Sequence, residues 1–273
     1  MDAEVGWIDF SPRHRQRVGA VMDMLKPEGV VDELGVGTIR DGLADQIFPG
    51  FSTIQTRAKY FFIIPYILYE YQKIKLSQQR NKSASRFLEE QEYELMWDLA
   101  EAYDHREGKG VIGITKRRRE KIMRRPSAIY WNGMVIYRFI NSAGLSLDTF
   151  MSQRTSVEES LKAINDQGDD APKDDADAEY ENTFRLQVGY DPDWRNDVTL
   201  DLTRNEADFF YHRIREVAKN KLIGELVTNA GLYRLFLQYD DFMDFAKVAV
   251  CQPINESVKR MLVLAHDFSE MIY

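Results

Sequence analysis

The chain has a single cysteine, Cys251, and four histidines, His14, His105, His212 and His266, each in a different segment. One thiol makes no intrachain disulfide, which points to a reducing compartment. No Cys or His pair has zinc spacing and no HExxH occurs, which excludes the patterned zinc sites. Cys251 ends the apolar run Ala246-Lys247-Val248-Ala249-Val250-Cys251 and is expected to be a small buried hydrophobe.

Long hydrophobic runs are also missing. The most apolar window, Tyr60-Phe61-Phe62-Ile63-Ile64-Pro65-Tyr66-Ile67-Leu68-Tyr69, is bounded by Lys59 and Glu70. It is about half the ~20 residues of a membrane span and reads as a buried core helix. The opening Met1-Asp2-Ala3-Glu4 carries acids where a secretory signal needs bases. A soluble cytoplasmic protein without membrane contact is therefore expected.

The phosphate-binding GxxxxGK[ST] loop, a GxGxxG after a strand and the nucleophile-bearing GxSxG are all absent. Gly35-Val36-Gly37-Thr38 precedes a helical pattern and fits either an anion held near backbone N–H groups or an ordinary loop. No repeat of 20–50 residues is found, so a solenoid is not expected. These absences predict a non-enzymatic chain with no cofactor and no metal. A carboxylate-only Mg²⁺ site stays open, because it needs only a few acids gathered by the fold.

What is present is apolar and aromatic material in quantity. Hydrophobic residues make up 44% of the 273, and 14 Tyr, 15 Phe and 4 Trp supply side chains for a large core. The net charge of −8 repels phosphate, so any nucleic-acid contact must come from a local basic patch.

Periodicity predicts a mainly α fold. A helix is expected after Ser11-Pro12, and another over 38–48 with Ile39, Leu43 and Ile47 on one face. A third runs from a Ser52 or Thr53 cap towards Leu76, kinked or split by Pro65. A strong amphipathic helix is expected over 85–105, with Phe87, Leu88, Leu95, Met96, Leu99 and Tyr103 inside and its Glu residues outside. Val111-Ile112-Gly113-Ile114 reads as a turn or small ribbon. Helices follow over 116–123, 127–140 and 146–164, the last helped by a capping box at Ser156 and Glu159.

Residues 165–182 contain eight acids and almost no large apolar side chain, which predicts a flexible acidic linker. The organisation read from the sequence is an N-terminal helical domain over 1–164, the linker over 165–182, and a smaller C-terminal helical domain over 183–273. The last begins with a short β-hairpin or extended crossing over 184–202, turning at Asp191-Pro192-Asp193. Thr203 and Glu206 form a capping box ahead of 207–217, and helices are expected over 222–229, 232–250 and 254–273. The pattern stops inside a helix, which fits a fraying end or a longer natural chain.

The densest chemical signal is Lys116-Arg117-Arg118-Arg119-Glu120-Lys121-Ile122-Met123-Arg124-Arg125, eight of ten charged and seven positive. His105, Arg106 and Lys109 precede it, and Ser127, Tyr130 and Trp131 follow. Bases on phosphate release counterions, a Ser hydroxyl at a helix start can hold a phosphate oxygen, and aromatic rings can stack on bases. The same residues also fit a solvated helix followed by an aromatic core helix, or an intramolecular partner for the acidic run. The candidate nucleic-acid site is Lys116, Arg117, Arg118, Arg119, Lys121, Arg124, Arg125, Ser127, Tyr130 and Trp131. A second set, Asp9, Arg40, Asp41, Asp45, Arg57 and Lys59, fits an acidic catalytic cluster held by arginines or an ion-pair network that fixes helix packing.

Several motifs resemble a family of uncharacterised bacterial proteins: Gly6-Trp7-Ile8-Asp9-Phe10-Ser11; Glu33-Leu34-Gly35-Val36-Gly37-Thr38-Ile39-Arg40-Asp41; Phe48-Pro49-Gly50 with Ser52-Thr53-Ile54-Gln55-Thr56-Arg57-Ala58-Lys59-Tyr60-Phe61; and Arg125-Pro126-Ser127-Ala128-Ile129-Tyr130-Trp131. Tyr190-Asp191-Pro192-Asp193-Trp194 and Leu202-Thr203-Arg204-Asn205-Glu206-Ala207 resemble its later part. The resemblance implies an accessory component of a bacterial DNA-handling or anti-phage gene cluster. The expected function is thus a non-enzymatic subunit of a multi-protein assembly that contacts DNA through a basic helix. The alternatives are a protein-interaction scaffold without nucleic-acid contact, and a Mg²⁺-dependent enzyme such as a nuclease on Asp9, Asp41 and Asp45.

Overall fold

The computed structural model describes residues 35–74, 83–106, 109–116, 120, 122–152, 186–196 and 198–272. It is mainly helical, with α1 (Val36–Ile47), α2 (Tyr60–Lys73), α3 (Ala84–Ala102), α4 (Pro126–Ile136), α5 (Arg204–Val217), α6 (Leu222–Thr228), α7 (Ala230–Phe236), α8 (Phe242–Ala249) and α9 (Glu256–Ile272). Two compact units emerge: one combines Met1–Ile54 with Ala207–Tyr273, the other is Gln55–Glu206. This division differs from a cut at 165–182. The expected linker lies outside the described residues, as do the helix after Ser11 and the capping box at Ser156 and Glu159.

In the unit Gln55–Glu206, α2 is the central element. Every residue from Tyr60 to Leu68 is buried, as is Tyr71, so this helix is apolar all round and is covered by α3 and α4. Pro65 sits inside it without ending it. Its N-terminus is at Tyr60, not at a Ser52 or Thr53 cap. Aromatic rings interlock above it: Phe61 lies 5.1 Å edge-on from Tyr130 and 5.3 Å from Phe139, and Phe62 is 5.1 Å from Phe139. Such pairs add to the area term because ring edges and faces carry opposite partial charge.

Ser83 caps α3 by accepting the N–H of Arg86, and the helix ends at Tyr103, where Asp104 and His105 turn into the left-handed region. Leu88, Leu95, Met96 and Leu99 form its buried stripe. The single extended pairing among the described residues outside helices is an antiparallel bridge between Ile140 and Leu186. No hairpin over 184–202 is seen among the described residues there. The turn does occur: Asp191 Oδ1 accepts the N–H of Asp193 at 3.0 Å.

In the other unit, α1 packs on α9, and Ile47 joins Leu222, Leu226, Leu232, Phe245, Val258 and Leu262 in one core. Ile47 carries the apolar face of α1 alone, since Ile39 is 48% exposed and Leu43 half-buried. The helix expected over 232–250 is two helices, α7 and α8. Asp241 breaks it by accepting the N–H groups of Met243 and Asp244, and Asn229 caps α7 in the same way. Cys251 is exposed, because it lies past the end of α8 rather than in its apolar face.

Candidate nucleic-acid interface

The loop before the basic run is tied to the residues that lead into α2 and to its first residue. The Thr56 hydroxyl donates to the Gly110 carbonyl at 2.6 Å, Arg57 Nε to the Lys109 carbonyl at 3.0 Å, and the Ile112 N–H to the Tyr60 hydroxyl at 3.1 Å. Gly110 and Gly113 take φ of 87° and 78°, a region open to glycine. They make 111–114 a turn, closed by the Lys116 N–H on the Gly113 carbonyl at 2.8 Å.

The helix expected over 116–123 is not formed at the described residues Lys116, Glu120, Ile122 and Met123, which are bend or irregular backbone. Lys116 pairs with Glu120 at 2.8 Å, both about half exposed, and Met123 is 96% exposed. Arg124 is half-buried. Arg117, Arg118, Arg119 and Lys121 lie outside the described residues.

At the far end the chain turns inward. Arg125 is the N-cap of α4, with Pro126 at the first position, where its missing N–H costs nothing. The free donors behind it go to Glu92 of α3. Its Oε1 accepts the Ser127 N–H at 2.5 Å, its Oε2 accepts the Ser127 hydroxyl at 3.0 Å, and Arg125 Nη1 reaches Oε2 at 3.3 Å. Burial pushes the Glu92 carboxyl up to about 7, against the lowering effect of Arg125 and of both Ser127 bonds. The Glu92 carboxyl group thus occupies the place where a phosphate would have to bind.

Four of the expected contact residues are engaged inside the fold in this geometry. Ser127 is fully buried on Glu92. Tyr130 is fully buried, its hydroxyl accepting the N–H groups of Thr56 at 2.7 Å and Arg57 at 2.9 Å. Trp131 is 5% exposed, with Nε1 donating to the Leu145 carbonyl at 3.1 Å and its ring against Phe150. None of these three can present itself to a base or phosphate, and the Arg125 guanidinium is held by Glu92. Lys116 and Arg124 remain as described candidates beside the four basic residues outside the described set.

The described members of the second set fall in both units. Arg40 and Asp41 pair with each other at 2.9 Å on α1, where Asp45 also lies. Lys59 belongs to the other unit and is buried on Glu206, at 2.7 and 2.8 Å from its two oxygens. Glu206 also accepts from Tyr66 and from the Thr203 N–H, while Thr203 Oγ1 accepts the Glu206 N–H at 3.3 Å, the expected capping box. Among the described residues no three His, Cys, Asp or Glu side chains are grouped to hold a metal ion. Asp9 lies outside them.

A further cluster holds the Tyr190-to-Trp194 motif. Glu70 of α2 accepts from Trp194 Nε1 at 2.9 Å and binds Arg195 through Nε at 2.9 Å and Nη2 at 2.6 Å, and Arg195 also reaches Gln91 at 2.7 Å. Tyr190 stacks on Tyr69 with centroids 4.3 Å apart. These bonds are complete within the unit and explain the motif as packing.

A family model described as a family of unknown function, DUF6361, matches residues 2–273. The chain belongs to the DUF6361 family. The match agrees with membership of an uncharacterised family. No curated protein and no solved structure matches this DUF6361 chain. No helix among its described residues is long and apolar enough to cross a membrane.

Proposed function

We propose that this chain is a non-enzymatic, cytoplasmic subunit of a bacterial multi-protein assembly that handles DNA, in anti-phage defence, and that its basic run contacts the phosphate backbone. The observation that carries the reading is the charge density of 116–125, seven bases in ten residues in a chain of net charge −8. The reading rests on Lys116, Arg117, Arg118, Arg119, Lys121 and Arg124, since Arg125 is paired with Glu92. Tyr130 and Trp131 are buried, which supports a contact that is electrostatic and indifferent to sequence.

The test is binding of the purified chain to labelled duplex and single-stranded DNA across a salt series. Affinity should fall steeply with salt, and reversing Arg117, Arg118 and Arg119 to Glu should abolish it with folding intact. Unchanged affinity in that triple variant would sink the reading.

A protein-docking role without nucleic acid is the second reading. It is favoured by the large apolar side chains that α7, its end and α9 leave exposed, among them Leu237 at 64% and Met271 at 73%. It predicts a stoichiometric complex with little salt dependence.

A further inference from the structure

Arg57 differs from Arg125 and Arg195 of the same unit. It is exposed, yet its side chain is held along its length. Nε donates to the Lys109 carbonyl, and its own N–H is fixed on the Tyr130 hydroxyl. The stem lies against Gly110 so closely that a Cβ added there would stand 2.8 Å from both Cγ and Nε. Thr56 holds the same Gly110 from the other side. The chain therefore uses a left-handed glycine, a buried tyrosine hydroxyl and a backbone carbonyl to orient one surface guanidinium. Nη1 and Nη2 make no hydrogen bond or ion pair with any described residue. Arg125 and Arg195 each direct theirs to a carboxylate.

A surface arginine ordinarily has about 2 kcal/mol of rotamer freedom to lose when it binds. Here that ordering is met by the fold, and preorganisation of this kind raises affinity by lowering the cost of binding. A planar fork with two open N–H pairs matches the paired oxygens of a phosphate. Lys109, whose carbonyl holds the fork, adds an exposed positive residue to the same loop.

We propose that Arg57 is a phosphate-binding residue for the nucleic-acid backbone, oriented by Lys109, Gly110 and Tyr130 and distinct from the charge run at 116–125. The inference rests on the nucleic-acid reading above. It predicts one directed contact beside a diffuse electrostatic one.

The experiment measures the affinity of the full chain for labelled duplex DNA from 50 to 200 mM salt. It compares wild type, Arg57→Gln, Arg57→Lys and the triple reversal at Arg117, Arg118 and Arg119. Arg57→Gln should bind more weakly and lower the slope of log affinity against log salt by about 0.9, so that its deficit shrinks about 3-fold across that range. Arg57→Lys should recover the slope, because the charge returns, but not the affinity, because the fork does not. If Arg57→Gln fails to fold, wild-type affinity in Arg57→Lys overturns the inference by itself. Wild-type affinity and slope in Arg57→Gln, with binding lost in the triple reversal, overturns the role of Arg57 and leaves the basic run standing. No binding by the wild-type chain at 50 mM salt overturns both.

Discussion

Glu92 accepts both the backbone N–H and the hydroxyl of Ser127, so one buried side chain of α3 closes the first turn of α4. The bond partners favour the carboxylate and burial favours the acid, and burial wins. The carboxyl rises from 4.5 to about 7.

The sign of the pH dependence follows. A carboxyl whose value is raised on folding binds its proton more tightly in the folded state. Its stabilising contribution is complete below pH 4.5, declines between 4.5 and about 7, and is lost above. The amount is on the order of 3 kcal/mol. Glu92→Gln keeps an acceptor for Ser127 and does not titrate. In denaturant unfolding, its stability relative to wild type should therefore rise by that order from pH 5 to pH 8. A difference that does not vary with pH would refute this assignment.

The buried pair of Lys59 and Glu206 should behave unlike the exposed pairs. Glu206→Ala leaves a lysine with 7% side-chain exposure and no counter-charge, and also removes the capping-box acceptor. A loss of about 3–5 kcal/mol is expected. Arg86→Ala, which breaks the pair with Glu90 at 71% and 38% exposure, should cost under about 0.5 kcal/mol. Comparable losses in the two variants would contradict the burial argument.

Two glycines should respond oppositely to alanine. At Gly224 a Cβ would stand 2.0 Å from the Ala218 carbonyl oxygen, backbone that cannot swing aside. Gly224→Ala should lose at least about 1–3 kcal/mol, the range for overpacking. Gly42 lies inside α1 with nothing within 4 Å of the added carbon. There alanine should gain about 0.5–1 kcal/mol by lowering the entropy of the unfolded chain. Thermal melts of the two variants should move in opposite directions.

Tyr130→Phe removes the shared acceptor of the Thr56 and Arg57 N–H groups while keeping the ring against Tyr60 and Phe61. Buried donors left without a partner cost about 1–3 kcal/mol, and these part-buried ones should cost less. Hydrogen exchange should report faster opening at Thr56 and Arg57 than at Leu99. Unchanged protection at those two amides would show that the hydroxyl does not hold the loop.

Local signals were legible before any coordinates. The capping box at Thr203 and Glu206, the Asp191 turn and the amphipathic stripe of α3 all depend on residues within a few positions of each other. What could not be read was direction. A serine, a tyrosine and a tryptophan after a basic run look the same whether they face solvent or core, and the partners that turn them inward sit 14 to 74 positions away. Glu92 was hidden among other glutamates, yet it carried a signal. It falls in register with Leu88, Leu95 and Leu99, the one acid on an apolar stripe. A carboxylate there has to find donors from another element.

Gln46 of α1 bonds to Lys221, 175 positions on, and Ile47 needs the core that 222–262 supplies. A ribosome adding about 5–20 residues per second takes roughly 10–35 s to cover that distance. During this interval α1 has been made but its packing partners have not. The unit Gln55–Glu206 is continuous, so its whole sequence emerges while α1 waits. Order of synthesis thus runs against order of packing: the first described helix is among the last to be covered, and a stalled or truncated chain that lacks α9 leaves Ile47 without its buried setting.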